Sequence, residues 1–130
     1  MKIYYTVGLS MLAGAVLGAG AIQGLHAQAK PPAFVIAEIS VSNPDAFAKE
    51  FGPLAVKALG ENDSGYKALA RGGKVVTIEG DAAPNRLIIN QFADMDKALA
   101  AYNSPDYKAA KVIGDKYAKF RLIAVEGLPQ

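Results

Sequence analysis

The side chains available for chemistry in this sequence form a short set. Its 130 residues include no cysteine, no tryptophan and a single histidine, His26, which lies in an apolar amino-terminal stretch. From Ala33 onward the chain therefore lacks the usual general base, the usual zinc and haem ligands and the thiol nucleophile. No cofactor and no metal site is expected. Asp94 and Asp96 resemble a metal pair only superficially, because they open a helix, where acids favour the positive end of the dipole. What remains is arginine, carboxylate, phenol, amide and hydroxyl.

Three places gather such groups. Arg71 precedes Gly72 and Gly73. Its guanidinium suits bidentate binding of a carboxylate or phosphate, with Gly72 letting a ligand approach the backbone. The alternative is an arginine paired with a neighbouring acid to fix the turn. This is not a phosphate loop, since the longer glycine pattern and a following helix are missing. Glu38 lies among apolar residues of a strand, where burial raises a carboxyl pKa and prepares it for proton transfer. A carboxylate satisfied by Arg71, Arg86 or Arg121 is the simpler reading. Tyr102, Asn103 and Ser104 open the densest polar run, which ends Pro105-Asp106-Tyr107. Capping explains Ser104 and Asp106; Tyr102 and Asn103 are the residues it explains least.

The elements that must position these groups follow from periodicity. Ala33 to Val41 alternates as a strand that is largely apolar on both faces, with Val35, Ala37, Ile39 and Val41 on one and Phe34, Ile36, Glu38 and Ser40 on the other. Asn43-Pro44-Asp45 is a helix start, a capping side chain followed by proline and an acid. Gly52-Pro53 predicts a kink or break in that helix. Tyr66 to Leu69 and Lys74 to Glu79 read as extended segments joined through Arg71-Gly72-Gly73. Arg86 to Phe92 is the next strand, with Ile88, Asn90 and Phe92 opposite Leu87, Ile89 and Gln91. Asp94 caps a helix whose face carries Met95, Ala98, Leu99 and Tyr102. Ser104-Pro105-Asp106 starts another, with Ala110, Ile113 and Tyr117 as its stripe. Phe120 to Glu126 is the last strand. The order β-α-β-β-α-β is the α+β, ferredoxin-like arrangement with a four-stranded antiparallel sheet. Helices cover one face of such a sheet. The other, with Phe34 and Ile36, stays apolar, and a second copy of the chain is the expected cover, giving a homodimer.

The amino terminus reads as a secretory signal over residues 1–29: Lys2, an apolar stretch from Val7 to Ile22, and an Ala27-x-Ala29 cleavage site. Cleavage after Ala29 is the first choice and after Ala27 the second. The stretch is short of the ~20 residues that span a bilayer, so membrane attachment is expected only through an uncleaved leader. Residues 30–32 form a stiff linker, and 33–128 the domain. This organisation implies a periplasmic or secreted protein. The formal net charge is +2, and about +1 without Lys2. The lysines do not cluster, which argues against nucleic acid as a partner.

The residues Phe34-Val35-Ile36-Ala37-Glu38-Ile39 with Asn43-Pro44, Ala70-Arg71-Gly72-Gly73-Lys74, Glu79-Gly80, Tyr102-Asn103-Ser104-Pro105-Asp106-Tyr107 and Val125-Glu126-Gly127 occur in this order. Together they resemble domain-of-unknown-function family 1330, over roughly Ala33 to Leu128. The resemblance implies a dimeric α+β barrel of the ferredoxin-like group and no established reaction. The leader departs from the cytoplasmic look of much of that family. Three readings remain open. The first is a dimer binding a small acidic or aromatic ligand, with Glu38, Arg71, Gly72, Tyr102, Asn103 and Ser104 as candidate contacts. The second is a cofactor-free enzyme of isomerase or oxygenase type, using a carboxylate or tyrosine. The third is a structural periplasmic dimer.

Overall fold

A computed structural model of the chain describes residues 30–130. The leader and its cleavage site lie outside the described residues. Among the described residues no helix is long and apolar enough to cross a membrane.

Strand β1 (Ala33–Val41) is followed by α1 (Pro44–Ala46), a π-helical stretch (Phe47–Phe51) and α2 (Gly52–Leu59). Then come β2 (Lys67–Arg71), β3 (Arg86–Phe92), α3 (Met95–Asn103), α4 (Pro105–Gly114) and β4 (Ala118–Glu126). The strands form one sheet in the order β2-β3-β1-β4. All three neighbouring pairs are antiparallel. This is the ferredoxin-like α+β architecture expected from the element order.

The helix starts follow their local chemistry. The side chains of Asn43, Asp94 and Ser104 accept hydrogen bonds from the backbone N–H groups of Ala46, Lys97 and Tyr107. The break expected at Gly52-Pro53 takes the form of the π-helical turn, in which Gly52 N–H donates to Phe47 O, five residues back. Pro53 has no N–H to give, and a wider turn ahead of it relieves the clash with the preceding carbonyls.

Two expectations are corrected. Among the described residues Lys74–Glu79 joins no strand of the sheet, and Ile78 is 97% exposed. Register is the reason: Arg71 already pairs with Ile88, and β3 begins only two residues earlier, at Arg86. Gly72, at φ +74°, turns the chain away there. The irregularity is instead a bulge within β2, between Ala68 and Ala70. Leu99 is also exposed, because α3 turns Ala98 and Ala101 inward.

The core lies between the sheet and the helices. Ala33, Val35, Ala37 and Ile39 of β1 face it. Phe47, Phe51 and Phe120 pack ring against ring, with centroids 4.9 to 5.9 Å apart. Phe92, fully buried, lies between Tyr66 and Tyr102. The opposite sheet face carries Phe34, Ile36, Leu87 and Ile89 with Ile123 and Val125, the last half exposed.

Candidate functional site

Beside this core, between the helices and the sheet, lies a partly open cavity of 380 Å³. Its floor is the helix-facing side of β1, β3 and β4; its far wall comes from the π-helical turn, α2, α3 and α4. Most of the lining is apolar or aromatic, including Ile39, Phe47, Phe51, Ile88, Phe120 and Leu122. The polar contribution is small: Arg71, Arg86, Asn90, Tyr66, Tyr102 and Tyr107. An apolar body with a few convergent polar groups is the usual character of a small-molecule site.

Sheet register brings these groups together. Arg71 is the last residue of β2 and pairs with Ile88; Arg86 is the first residue of β3. Their guanidinium groups are close enough that burial first, and then the Arg71 charge, lowers the Arg86 pKa. Among the described residues neither arginine has a carboxylate partner. Arg71 Nη1 donates to Tyr66 Oη at 3.3 Å. The Arg86 guanidinium carbon lies 5.3 Å from the Phe47 ring centroid, a cation–π contact, while its Nε is closed to solvent and has no partner. Two cations at one cavity without counter-ions favour an anion there.

Deeper along β3, Asn90 is 4% exposed. Its Nδ2 donates to Tyr102 Oη at 3.0 Å, and its Oδ1 has no partner. Burial pushes the Tyr102 phenol up to about 12. The Tyr107 phenol, edge-on to Tyr102 at 4.8 Å between centroids, is raised further, again mainly by burial. Both stay protonated at neutral pH.

The candidate residues of the sequence fall into separate places. Arg71 and Tyr102 line the cavity. Gly72 passes the Arg86 guanidinium, where an added Cβ would sit 3.6 Å from Nη1; its positive φ, more than lack of space, calls for glycine. Glu38 lies on the opposite sheet face and accepts from Arg121 Nη1 at 2.8 Å, so the neighbouring-strand pairing describes it. Asn103 ends α3, exposed to solvent. Ser104 links the helices, capping α4 and donating to Ala101 O. Tyr107, the second phenol of the polar run, joins Tyr102 at the cavity, and Arg86, Asn90 and Tyr66 join it without having been named as ligand contacts. Asn90 carried a signal, as a polar residue in the inward row with Ile88 and Phe92. Among the described residues no group of three or more acidic or imidazole side chains is placed to hold a metal ion.

The fold and the cavity define a ferredoxin-like α+β protein with a partly open, cation-flanked apolar site. The chain belongs to the DUF1330 family, a domain of unknown function, whose pattern matches residues 32–128. No curated protein is similar to it in sequence. Several solved structures share the fold. SnoaB from Streptomyces nogalater, a cofactor-independent oxygenase, superimposes with a TM-score of 0.56 at 12% identity, over 77% of this chain and 96% of its own. A dimeric protein of unknown function and ferredoxin-like fold from Bacteroides fragilis gives 0.51 at 15% identity, over 74% and 96%. A protein of unknown function from Rhodopseudomonas palustris gives 0.50 at 18% identity, over 84% and 92%. At these identities the likeness is one of fold.

Proposed function

We propose that the protein is an exported dimer that binds a small acidic molecule with an apolar or aromatic body in the cavity between sheet and helices. The observation that carries this reading is that Arg71 and Arg86 both line the cavity, and among the described residues neither has a carboxylate to neutralise it. Structural arginines usually find an acid, as Arg121 finds Glu38 on the other face. Cations left unpaired beside an apolar cavity are suited to an anion supplied from outside. The cavity volume supports the binding reading over a purely structural dimer, for which a filled interior would suffice.

Pairing of two copies through the outer sheet face is supported by the apolar row of Phe34, Ile36, Ile89, Ile123 and Val125 and by the dimeric neighbour from Bacteroides fragilis. Export rests on the leader. Amino-terminal sequencing of secreted protein tests it, with Met1 retained as the contrary result.

A cofactor-free oxygenase or isomerase is the second reading, and the fold neighbour SnoaB favours it. Its carboxylate version is weakened by the place of Glu38, outside the cavity. Its tyrosine version would use Tyr102 or Tyr107 as a proton donor, because burial holds both phenols neutral.

Calorimetric titration with benzoate and with benzamide, of the same shape but uncharged, tests the binding reading. Benzoate is expected to bind and benzamide to bind at least tenfold more weakly. Arg71→Ala and Arg86→Gln should each remove most of that preference. Equal binding of the two compounds would sink the proposal.

A further inference from the structure

The residues of β3 that line the cavity are Arg86, Ile88 and Asn90. Alternate residues of a strand are about 6.7 Å apart, so this wall runs from cation through apolar to amide. The amide end is a donor site. Tyr102 accepts from Asn90 Nδ2, which leaves its own proton without an acceptor among the described residues. Tyr66 repeats the pattern, accepting from Arg71 Nη1. A phenol that accepts from an N–H is polarised into a better donor. Among the described residues no carboxylate lines the cavity. A ligand with an acceptor at each end and apolar surface between them meets both the cations and the phenol donor.

Resting on the reading above and narrowing it, we infer that the ligand is an oxo acid with a flat apolar body. Its carboxylate meets Arg71 and Arg86, and its carbonyl oxygen accepts the Tyr102 hydrogen. The cavity of 380 Å³ falls within the roughly 300–1,000 Å³ of small-ligand sites and accommodates a substituted ring.

The test compares two probes of nearly the same shape, para-acetylbenzoate and para-ethylbenzoate, by calorimetry on the purified protein. The acetyl compound should bind about five- to tenfold more tightly. Tyr102→Phe should erase that ratio by weakening the acetyl compound alone, and Arg86→Gln should weaken both. With an isotope-labelled carbonyl, the stretch of the bound acetyl group should lie at lower frequency than in Tyr102→Phe and lower than in apolar solvent. The ratio and the solvent comparison need only the wild-type protein, should the variant fail to fold. Equal affinities with an unshifted stretch overturn the carbonyl assignment; if Arg86→Gln still weakens both probes, the acid-binding reading stands without it. A Tyr102→Phe loss equal for both probes also overturns it, as packing alone. Absence of binding by either probe at millimolar concentration, or binding indifferent to Arg86→Gln, overturns both readings.

Discussion

The two faces of the sheet treat charge in opposite ways. On the open face, Arg121 of β4 is bonded to Glu38 of β1 directly across the register. On the helix-covered face, Arg71 and Arg86 have no acid partner among the described residues, and Asn90 keeps a buried oxygen unpaired. Within one copy the outer face leaves its charges within reach of water, and yet it pairs them. On the covered face Arg71 stays exposed at the end of β2, whereas Arg86 is only partly hydrated, with its Nε closed off, and goes unpaired. Unpaired polar groups in a covered region destabilise a fold unless something else completes them. The contrast marks the covered face as the side arranged for a ligand and the Glu38–Arg121 pair as part of the scaffold.

Breaking the covered face at its centre should have the largest effect. Phe92→Ala removes a fully buried ring from between Tyr66 and Tyr102. It should destabilise the protein by about 3–5 kcal/mol in a urea titration. A loss below about 1 kcal/mol would mean that the aromatic row is not the support of the cavity.

Alkaline pH separates the faces next. The Tyr102 phenol is raised from 10.0 to about 12 in the fold, so the unfolded chain gives up that proton more readily. This contribution to stability is complete below pH 10, declines as pH rises through that range and is lost above about 12. It amounts to about 2–3 kcal/mol, and Tyr102→Phe should flatten the decline. An unfolding free energy equally steep in the variant would assign the alkaline loss to other groups.

Smaller and opposite in sign is the effect of Arg86→Met on the ligand-free protein. Removing a cation that is partly desolvated and unpaired should raise stability, by no more than about 1 kcal/mol because the guanidinium keeps part of its hydration. The same variant should lose benzoate binding, a gain in stability at the expense of function. If the variant is less stable and still binds, the cation is structural and the contrast between the faces fails.

The smallest change belongs to the open face. Glu38→Ala should shift stability by about 0.5 kcal/mol or less and leave benzoate affinity as it was. A tenfold loss of affinity would place Glu38 in the functional machinery after all.

Much of the scaffold was legible in the residues themselves. Asn43, Asp94 and Ser104 announce helix starts because capping is settled within three or four residues of chain. Strand alternation identified the inward row of β1 and placed Asn90 beside Ile88 and Phe92. Lys74–Glu79 was misread for a matching reason: Val75, Val76 and Ile78 satisfy a strand pattern locally, but a strand exists only where a neighbour supplies hydrogen bonds, and β3 ends its reach at Arg71. The sharp appearance of the Tyr102-Asn103-Ser104 run was also local, and most of it resolves into the junction between α3 and α4.

By itself, then, the order of residues determined where the helices start, which segments other than Lys74–Glu79 become strand, how the elements succeed one another, and that imidazole and thiol chemistry are absent beyond the amino-terminal stretch. Tertiary structure alone decided which polar groups share a cavity and which are neutralised. The reason is distance along the chain. Tyr66, Arg71, Arg86, Asn90 and Tyr102 meet only through antiparallel register and the packing of α3 on the sheet. Whether an arginine faces a carboxylate or a cavity depends on which strand lies beside it, and no local pattern carries that information.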